Sequence, residues 1–219
     1  MMETMNMQRD DWPEQLRQFA GLIFDCDGTL ADSMPQHYEA WHETMMRYDI
    51  DFDETTFYSW GGMPTEKIIE RLSKRDDKSL DVAKVAAEKE AAFERRADDA
   101  TPYPEVVAVV RQMSGRMPMS VASGGLRDIV RRQVAALGLA EALPVVVASE
   151  DTERHKPEPD VFLEAARRMG VEPTRCLVWE DSPLGVRAAE AAGMACVDVA
   201  KDPWRTHGWD WSATEPAND

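Results

Sequence analysis

In GLIFDCDGTLADS, residues 21–33, the four uncharged residues GLIF are followed by two aspartates separated by a cysteine, and then by Gly28. GLIF is a continuous apolar run, which is typical of a strand buried on both faces of a parallel sheet. Side chains alternate along an extended strand, so Asp25 and Asp27 are expected to point to one side, with Cα atoms roughly 7 Å apart. Gly28 then allows a tight turn. We therefore expect an acidic pair at the carboxyl end of a buried strand, where open α/β sheets bind ligands.

Four further short apolar runs follow along the chain. They are MSVA (119–122), VVVA (145–148), CLVW (176–179) and ACVDV (195–199). Between these runs, apolar residues recur at the helical spacing of three and four positions. Strand and helix in steady alternation predict an α/β fold with a Rossmann-like open parallel sheet and right-handed crossovers.

The interval from about residue 34 to residue 100 interrupts this alternation. Its apolar residues recur at helical spacing, and it contains no convincing strand. The pattern is clearest at Tyr38, Trp41, His42 and Met45. Two prolines, Pro102 and Pro104, mark the return to the sheet. We therefore predict an α/β core domain formed by residues 1–33 and 101–219, and an inserted α-helical cap domain of residues 34–100.

The composition limits the classes of partner. The chain has 219 residues, which suits one main domain with a smaller insert. Asp and Glu outnumber Lys and Arg by 41 to 25, and the net charge of −16 disfavours binding to nucleic acid or to an anionic membrane. The sequence contains no apolar segment typical of a signal peptide or a membrane span. We expect a cytoplasmic protein, a monomer or a homodimer, with three free thiols at Cys26, Cys176 and Cys196.

The C-terminal segment after Lys201 carries three tryptophans among polar residues. They are Trp204, Trp209 and Trp211. Aromatic side chains of this kind usually become buried, so the segment is expected to pack against the sheet or against a second subunit.

Polar residues follow the other predicted strands in a fixed order. Ser123 comes after MSVA, Lys156 lies in RHKPEPD after the third run, and Glu180 with Asp181 follows CLVW. Each has a plain structural explanation: a serine can cap a helix, a loop lysine is usually solvated, and an acidic pair suits a helix amino terminus. Their order along the chain, Asp-x-Asp, Ser, Lys and Glu-Asp, suggests that they form one reaction site in addition to any structural role.

In this order the segments DCDGTL, VASGG, HKPEPD and WEDSPLG resemble the four motifs of the haloacid dehalogenase superfamily of phosphotransferases. The resemblance runs from residue 25 to residue 185, and the helical interval lies where one branch of that family inserts its cap. It implies a Mg²⁺-dependent phosphatase that acts on a small phosphate ester through an aspartyl-phosphate. A phosphate dianion repels carboxylates, so a carboxylate nucleophile needs a metal ion or another positive charge close by.

The resemblance assigns roles to the residues of the first and third motifs. Asp25 would be the nucleophile and would also bind the metal through one oxygen. Asp27 would protonate the leaving alkoxide and then deprotonate water, while its backbone carbonyl binds Mg²⁺. Lys156 would neutralise charge on Asp25 and the phosphoryl group.

The second and fourth motifs supply the remaining predicted site. Asp181 would be a direct metal ligand, and Glu180 would hold either a metal-bound water or Lys156. The hydroxyl of Ser123 and the N–H groups of Gly124 and Gly125 would contact phosphate oxygens at the start of a helix. Ser123 could at the same time cap that helix.

Two stretches of the helical interval, DSMPQHYEAW and SWGGMPTEKIIERL, resemble the β-phosphoglucomutase-like branch. His37 falls where the mutase has a histidine that helps to hold the cap closed, although a partly buried histidine beside Tyr38 and Trp41 is an equal alternative. Thr65 stands where the mutase has an arginine that grips a second phosphate. A threonine supplies no charge for this purpose, which favours a hydrolase.

The stretches GLIFD-x-DGT, HKP-x-PD-x-F and RMGV-x-PT-x-C resemble a group of small bacterial phosphatases of fructose 1-phosphate and 6-phosphogluconate. The first hypothesis is therefore a phosphatase of small phosphorylated metabolites, mainly sugar phosphates. A phosphosugar isomerase of the mutase type is the alternative, and a non-catalytic binding protein is a third class. Dehalogenation does not require the second aspartate, so Asp27 argues against it.

Overall fold

A computed structural model describes residues 14–61, 63–201, 205–206 and 209–210. Its strands are β1 (Gly21–Phe24), β2 (Ala31–Asp32), β3 (Thr101–Pro102), β4 (Met119–Ala122), β5 (Val145–Val147), β6 (Cys176–Glu180), β7 (Ala195–Asp198), β8 (Arg205–Thr206) and β9 (Trp209–Asp210). Its α-helices are α1 (Met34–Met46), α2 (Glu54–Ser59), α3 (Thr65–Arg75), α4 (Val82–Glu94), α5 (Pro104–Met113), α6 (Arg127–Ala136), α7 (Asp160–Met169) and α8 (Pro183–Ala191).

Five parallel strands form the centre of the main sheet, in the order β5-β4-β1-β6-β7. β1 is the middle strand, and its Leu22 lies opposite Met119 of β4 and Leu177 of β6. All four residues of β1 are buried, as the continuous apolar run predicts. The five predicted apolar runs and the α/β fold class are confirmed.

Helices cover both faces of this sheet. Leu22 and Phe24 pack on one face with the apolar sides of α5 and α6. Ile23 points to the other face and packs with α7 and α8. The alternation along β1 thus separates two apolar layers, and the carboxyl ends of the strands remain at one edge for polar residues.

Two short antiparallel strands, β8 and β9, extend the sheet beyond β7. They were not predicted, because two residues are too few to show a strand period. β9 contains Trp209, so this part of the tryptophan segment joins the sheet through its backbone. Trp204 and Trp211 lie outside the described residues, and the predicted packing of their side chains stays a prediction.

The helices α1 to α4 lie between β2 and β3, which pair with each other in antiparallel fashion. These helices have an apolar cluster of their own, which includes Trp41, Phe52 and Leu72. A second small cluster joins Phe93 of α4 to Ile129 of α6, so the helical insert packs directly on the core. The domain boundaries at residues 33 and 100 stay a prediction.

The three cysteines, Cys26, Cys176 and Cys196, are free and buried, as expected. Burial raises the pKa of each thiol, that of Cys176 to about 11, so the thiols are protonated and unreactive.

Among the described residues, no helix combines the length and apolar content required to cross a membrane.

Replacing a leucine in β6 should show how much the central strands contribute to stability. Leu177 is fully buried, so Leu177→Ala should lower the free energy of unfolding by about 3 kcal/mol through lost burial and a new cavity. Leu163→Ala is the matched control, because Leu163 is 38% exposed and should cost under about 1 kcal/mol. Urea unfolding measures both variants, and equal losses would contradict this arrangement of the core.

Candidate active site

A buried ion-pair cluster lies at the carboxyl end of β1 and β6. Asp25 follows β1, and its backbone N–H donates to the carbonyl of Trp179 in β6 over 2.9 Å. Lys156 Nζ lies 2.6 Å from Asp25 Oδ1 and 2.6 Å from Glu180 Oε2. The lysine therefore bridges two acids from two neighbouring strands, and the structure brings three of the predicted site residues together.

Glu180, the last residue of β6, is held in one orientation. Its Oε1 accepts hydrogen bonds from the backbone N–H of Asp181 and from the N–H and hydroxyl of Ser182. A Cβ on Gly185 would lie 1.9 Å from Glu180 Oε2, so only glycine fits at this position of α8. Both oxygens of Glu180 thus have donors, and its observed role is to hold Lys156.

Asp181 lies against the loop that follows β1. Thr29 donates its hydroxyl to Asp181 Oδ1 over 3.0 Å. Gly28 has a φ of +85°, and a Cβ there would lie 2.3 Å from Asp181 Oδ2. A glycine is therefore needed both for the left-handed backbone and for the close approach of the carboxylate. Thr29 was not among the predicted site residues.

Three carboxylates in this cluster could hold a metal ion. Asp25, Glu180 and Asp181 each offer an oxygen, and these oxygens lie within 4.8 Å of one another. Lys156 supplies one positive charge against three negative charges, and hard carboxylate oxygens are the ligands that Mg²⁺ prefers. The donor set therefore fits the predicted Mg²⁺.

The pKa shifts of the two aspartates in this cluster follow first from burial and next from the excess of negative charge. Burial, and next the charge of Glu180, raise the pKa of Asp25, and the same two causes raise the pKa of Asp181 to about 7. Burial alone would lower the pKa of Lys156, but the carboxylates of Asp25 and Glu180 outweigh it and raise that pKa. Lys156 is therefore charged, and a second cation would keep Asp25 and Asp181 ionised.

Asp27 has a separate set of partners. Its Oδ1 accepts hydrogen bonds from Ser33 Oγ at 2.5 Å and from Gln133 Nε2 at 2.7 Å, and His37 Nε2 lies 3.4 Å away. Burial alone would raise the pKa of Asp27, but the His37 ring and these hydrogen bonds outweigh it and lower that pKa. Asp27 and Asp25 therefore differ in protonation behaviour although one residue separates them.

His37 connects Asp27 to the helical insert. Lys89 Nζ of α4 lies 3.1 Å from His37 Nδ1, and the imidazole stacks on Phe93 with ring centres 3.6 Å apart. An ammonium can only donate, so Nδ1 accepts and Nε2 carries the hydrogen that faces Asp27. Burial and the charge of Lys89 lower the pKa of His37. His37 therefore makes polar contacts with Asp27 and Lys89, which the alternative of a histidine that only packs beside Tyr38 and Trp41 does not include.

Lys89 was missed at the sequence level, although it carried a signal. It is 3% exposed and lies four residues after Val85 and four before Phe93, inside the buried stripe of α4. Its charge is matched by Glu90 Oε1 at 3.0 Å, and Thr65 donates its hydroxyl to the same oxygen. A lysine at a core position of an amphipathic helix usually has a specific partner.

Ser123 follows β4 and is 2% exposed. Its Oγ accepts a hydrogen bond from the N–H of Gly125 over 3.0 Å, while Gly124 has open space where a Cβ would lie. α6 begins only at Arg127, after Leu126 as the N-cap residue. The interpretation of Ser123 as a helix cap is therefore wrong, because its hydroxyl is used in a local turn three residues earlier.

The amino terminus of α6 is capped by an acid from another loop. Both carboxylate oxygens of Glu150 accept the backbone N–H of Arg127, at 3.0 and 3.1 Å. The adjacent Ser149 donates its N–H to the carbonyl of Gly125 over 3.1 Å. The turn after β5 therefore fixes the loop that carries Ser123 and the two glycines.

Asp151 anchors this turn to the rest of the core. It accepts the N–H of Ala148 over 2.9 Å and pairs with Arg127 at 2.9 Å and with Arg168 of α7. Burial alone would raise the pKa of Asp151, but Arg127, the N–H of Ala148 and Arg168 outweigh it and lower that pKa. This network could not be predicted from the sequence, because acids after a strand are common in surface turns.

Comparison with known proteins places these residues in a family. A model of haloacid dehalogenase-like hydrolases matches residues 19–193. The chain is 42% identical over 183 residues to fructose-1-phosphate phosphatase YqaB of Escherichia coli (strain K12), covering 83% of this chain and 97% of that relative. It is 32% identical over 183 residues to validoxylamine A 7'-phosphate phosphatase of Streptomyces hygroscopicus subsp. limoneus, covering 81% and 84% of the two chains.

The fold also matches solved structures. The crystal structure of β-phosphoglucomutase from Clostridium difficile superposes with a TM-score of 0.74 at 23% identity, covering 82% of this chain and 83% of that one. At this level of identity the match shows a shared fold.

Replacing Asp151 should show how much its ion pairs with Arg127 and Arg168 contribute to the stability of the fold. Asp151→Asn should lower the free energy of unfolding at pH 7 by about 1–2 kcal/mol, because two arginines lose a charged partner. The native pKa of Asp151 lies below its unfolded value, so its stabilisation is present above the unfolded pKa and is lost as the pH falls through the native pKa. The difference between wild type and variant should therefore shrink as the pH is lowered from about 4.

Urea unfolding at a series of pH values measures this difference. Glu153→Gln is the matched control, since Glu153 is an exposed acid two residues away and should change neither the stability nor its pH dependence. A difference for Asp151→Asn that stays constant down to low pH would contradict the ion-pair assignment.

Proposed function

The chain belongs to the haloacid dehalogenase-like hydrolase family, and from this membership we propose that it is a Mg²⁺-dependent phosphatase of small phosphorylated metabolites, mainly sugar phosphates. Its relatives include named phosphatases, and its enzyme class is that of the phosphoric monoester hydrolases. The proposed reaction passes through an aspartyl-phosphate on Asp25.

The observation that carries the proposal is the placement of Lys156 between Asp25 and Glu180, beside Asp181. A carboxylate that attacks a phosphate dianion must overcome repulsion between like charges. The lysine offsets part of that repulsion at the oxygen of Asp25 that it contacts. Burial, and next the charge of Glu180, raise the pKa of Asp181 to about 7 although Lys156 lowers it, so a further cation would help to keep Asp181 ionised.

Asp25, Asp181 and the backbone carbonyl of Asp27 would hold Mg²⁺, with Glu180 acting through Lys156. When bound, the ion would supply positive charge close to the phosphoryl oxygens and so reduce the repulsion that Asp25 meets. Ser123 and the N–H groups of Gly124 and Gly125 would contact the phosphate oxygens from the other side of the site.

The proposed chemistry has two steps that share one acid and base. In the first, a carboxylate oxygen of Asp25 bonds to phosphorus, the bond from phosphorus to the sugar oxygen breaks, and Asp27 donates a proton to that oxygen. In the second, Asp27 takes a proton from water, the resulting hydroxide bonds to phosphorus, and the bond to Asp25 breaks. The products are the sugar and inorganic phosphate, and Asp27 is again protonated.

The two proposed steps need Asp27 to be protonated in the first and ionised in the second. The low pKa of Asp27 keeps it ionised when it acts as the base. A bound phosphate dianion would raise that pKa by repulsion of like charges, which would favour the protonated form needed for the first step. His37 and Lys89 position Asp27 from the helical insert, and neither is required to change its charge.

A sugar phosphate is proposed as substrate because the relatives are named for fructose 1-phosphate and validoxylamine A 7'-phosphate. The mutase alternative requires a grip on a second phosphate. Thr65, at the position of the mutase arginine, donates its hydroxyl to Glu90 and supplies no positive charge. Hydrolysis is therefore favoured. A monomer or homodimer in the cytoplasm, without nucleic acid or membrane partners, stays a prediction.

Phosphate release from a panel of sugar phosphates tests the function. With Mg²⁺ present, the protein should release phosphate from fructose 1-phosphate or a related ester, and EDTA should abolish the release until excess Mg²⁺ is added. Asp25→Asn should lower kcat at least about 1,000-fold, because the nucleophile is lost. Asp128→Asn is the matched control on an exposed helix face and should be fully active.

Two outcomes of this assay would overturn the proposal. No release from any ester of the panel with Mg²⁺ would argue against a phosphatase. Conversion of β-glucose 1-phosphate into glucose 6-phosphate faster than phosphate appears would favour the isomerase.

A methyl group on α8 should disturb the lysine bridge. Gly185→Ala would place a Cβ where Glu180 Oε2 now lies, so Glu180 must move away from Lys156. We expect kcat to fall by about 10- to 100-fold with the fold retained. Gly115→Ala is the control: the φ of +73° at Gly115 makes alanine cost about 1 kcal/mol of stability, but Gly115 lies in the turn between α5 and β4, before the strand begins. Full activity of Gly185→Ala would contradict the role of Glu180.

A further inference from the structure

The two oxygens of Asp27 have different surroundings. Oδ1 faces three donors, from Ser33, Gln133 and His37. Oδ2 faces the loop after β4, where it lies 3.7 Å from the position that a Cβ on Gly125 would take. We propose that Gln133 is a positioning residue that fixes Asp27 with Oδ2 turned toward the phosphate site, so that Oδ2 exchanges the proton with the substrate. This inference rests on the proposed phosphatase function.

The amide of Gln133 has a defined orientation. Gln133 is 1% exposed and lies on α6 between residues of the apolar core, Val130 and Val134. Its Nε2 donates to Asp27 over 2.7 Å, and its Oε1 accepts from the thiol of Cys26 at 3.6 Å. A buried amide without partners would be costly, and here each end has the partner that its chemistry requires.

Gln133 belongs to a different part of the fold from the other two donors. Ser33 immediately precedes α1 and His37 lies within it, so both are tied to the helical insert. Gln133 belongs to α6, which packs with β1 in the same apolar cluster as Cys26. A displacement of the insert relative to the core would change the contacts of Ser33 and His37, whereas the contact of Gln133 with Asp27 would persist.

The three donors determine which oxygen carries the proton. A carboxylate oxygen has two lone-pair directions, and the hydrogen bonds from Ser33 and Gln133 occupy those of Oδ1, with His37 Nε2 farther away at 3.4 Å. A proton on Oδ1 would break at least one of these hydrogen bonds, so the proton belongs on Oδ2. Loss of the Gln133 amide would release Asp27 to rotate and would weaken transfer of a proton to the leaving sugar oxygen.

The dependence on the leaving group tests this role. Gln133→Met keeps the side-chain volume and removes the amide. On the sugar phosphate that the wild type hydrolyses best, kcat should fall by roughly 10- to 100-fold with KM nearly unchanged, because an alkoxide needs a proton to leave. On p-nitrophenyl phosphate, whose phenolate leaves without a proton, kcat should fall by no more than about threefold.

Val134→Ala is the matched control, since Val134 is a buried neighbour on α6 in the same apolar cluster. It should lower stability without a difference between the two substrates. Equal losses on both substrates for Gln133→Met, or no loss on either, would overturn the inference.

A crystal structure of Gln133→Met supplies a result that does not depend on turnover. We expect the carboxylate of Asp27 to occupy more than one orientation in the variant and a single one in the wild type. An Asp27 that keeps one orientation in the variant would overturn the inference even if the enzyme were inactive. A wild type that releases phosphate from neither substrate would instead count against the proposed function.

Discussion

The buried bridge of Lys156 to Asp25 and Glu180 is the interaction on which the rest of the site depends. Two acids from neighbouring parallel strands could not approach so closely in a buried place without a cation between them. The sheet order brings β1 and β6 side by side, and the cis peptide between Lys156 and Pro157 lies in the loop that presents the lysine. The backbone thus assembles the charges around Asp25.

The same cluster explains why two glycines of the site cannot be replaced. Gly28 and Gly185 each leave room for a carboxylate oxygen, of Asp181 and Glu180 respectively. The absence of side chains at these positions lets the acids pack against backbone, which excludes water and strengthens the electrostatic contacts. Asp27 instead contacts Ser33, Gln133 and His37, so the two aspartates have different electrostatic surroundings.

The sequence predicted those parts of the structure that local pattern determines. The five central strands are continuous apolar runs, and the polar residues at their ends, such as Asp25 and Lys156, follow a recognisable order. β2, β3, β8 and β9 are too short for a period to appear. Lys89 and Gln133 were missed because a polar residue on a helix is usually exposed, and only the packing of distant segments reveals their partners. The alternative that Ser123 also caps α6 is wrong, because its hydroxyl bonds within its own turn and Leu126 is the N-cap residue.

The pairing of Ala31 with Pro102 and of Asp32 with Thr101 makes the start and end of the helical insert near neighbours. An insert that begins and ends at adjacent points constrains the core fold little, because a short connecting segment could replace it. The helical insert could therefore change in length while β1 and β6, which hold the ion pairs of Asp25, Lys156 and Glu180, keep their places in the sheet.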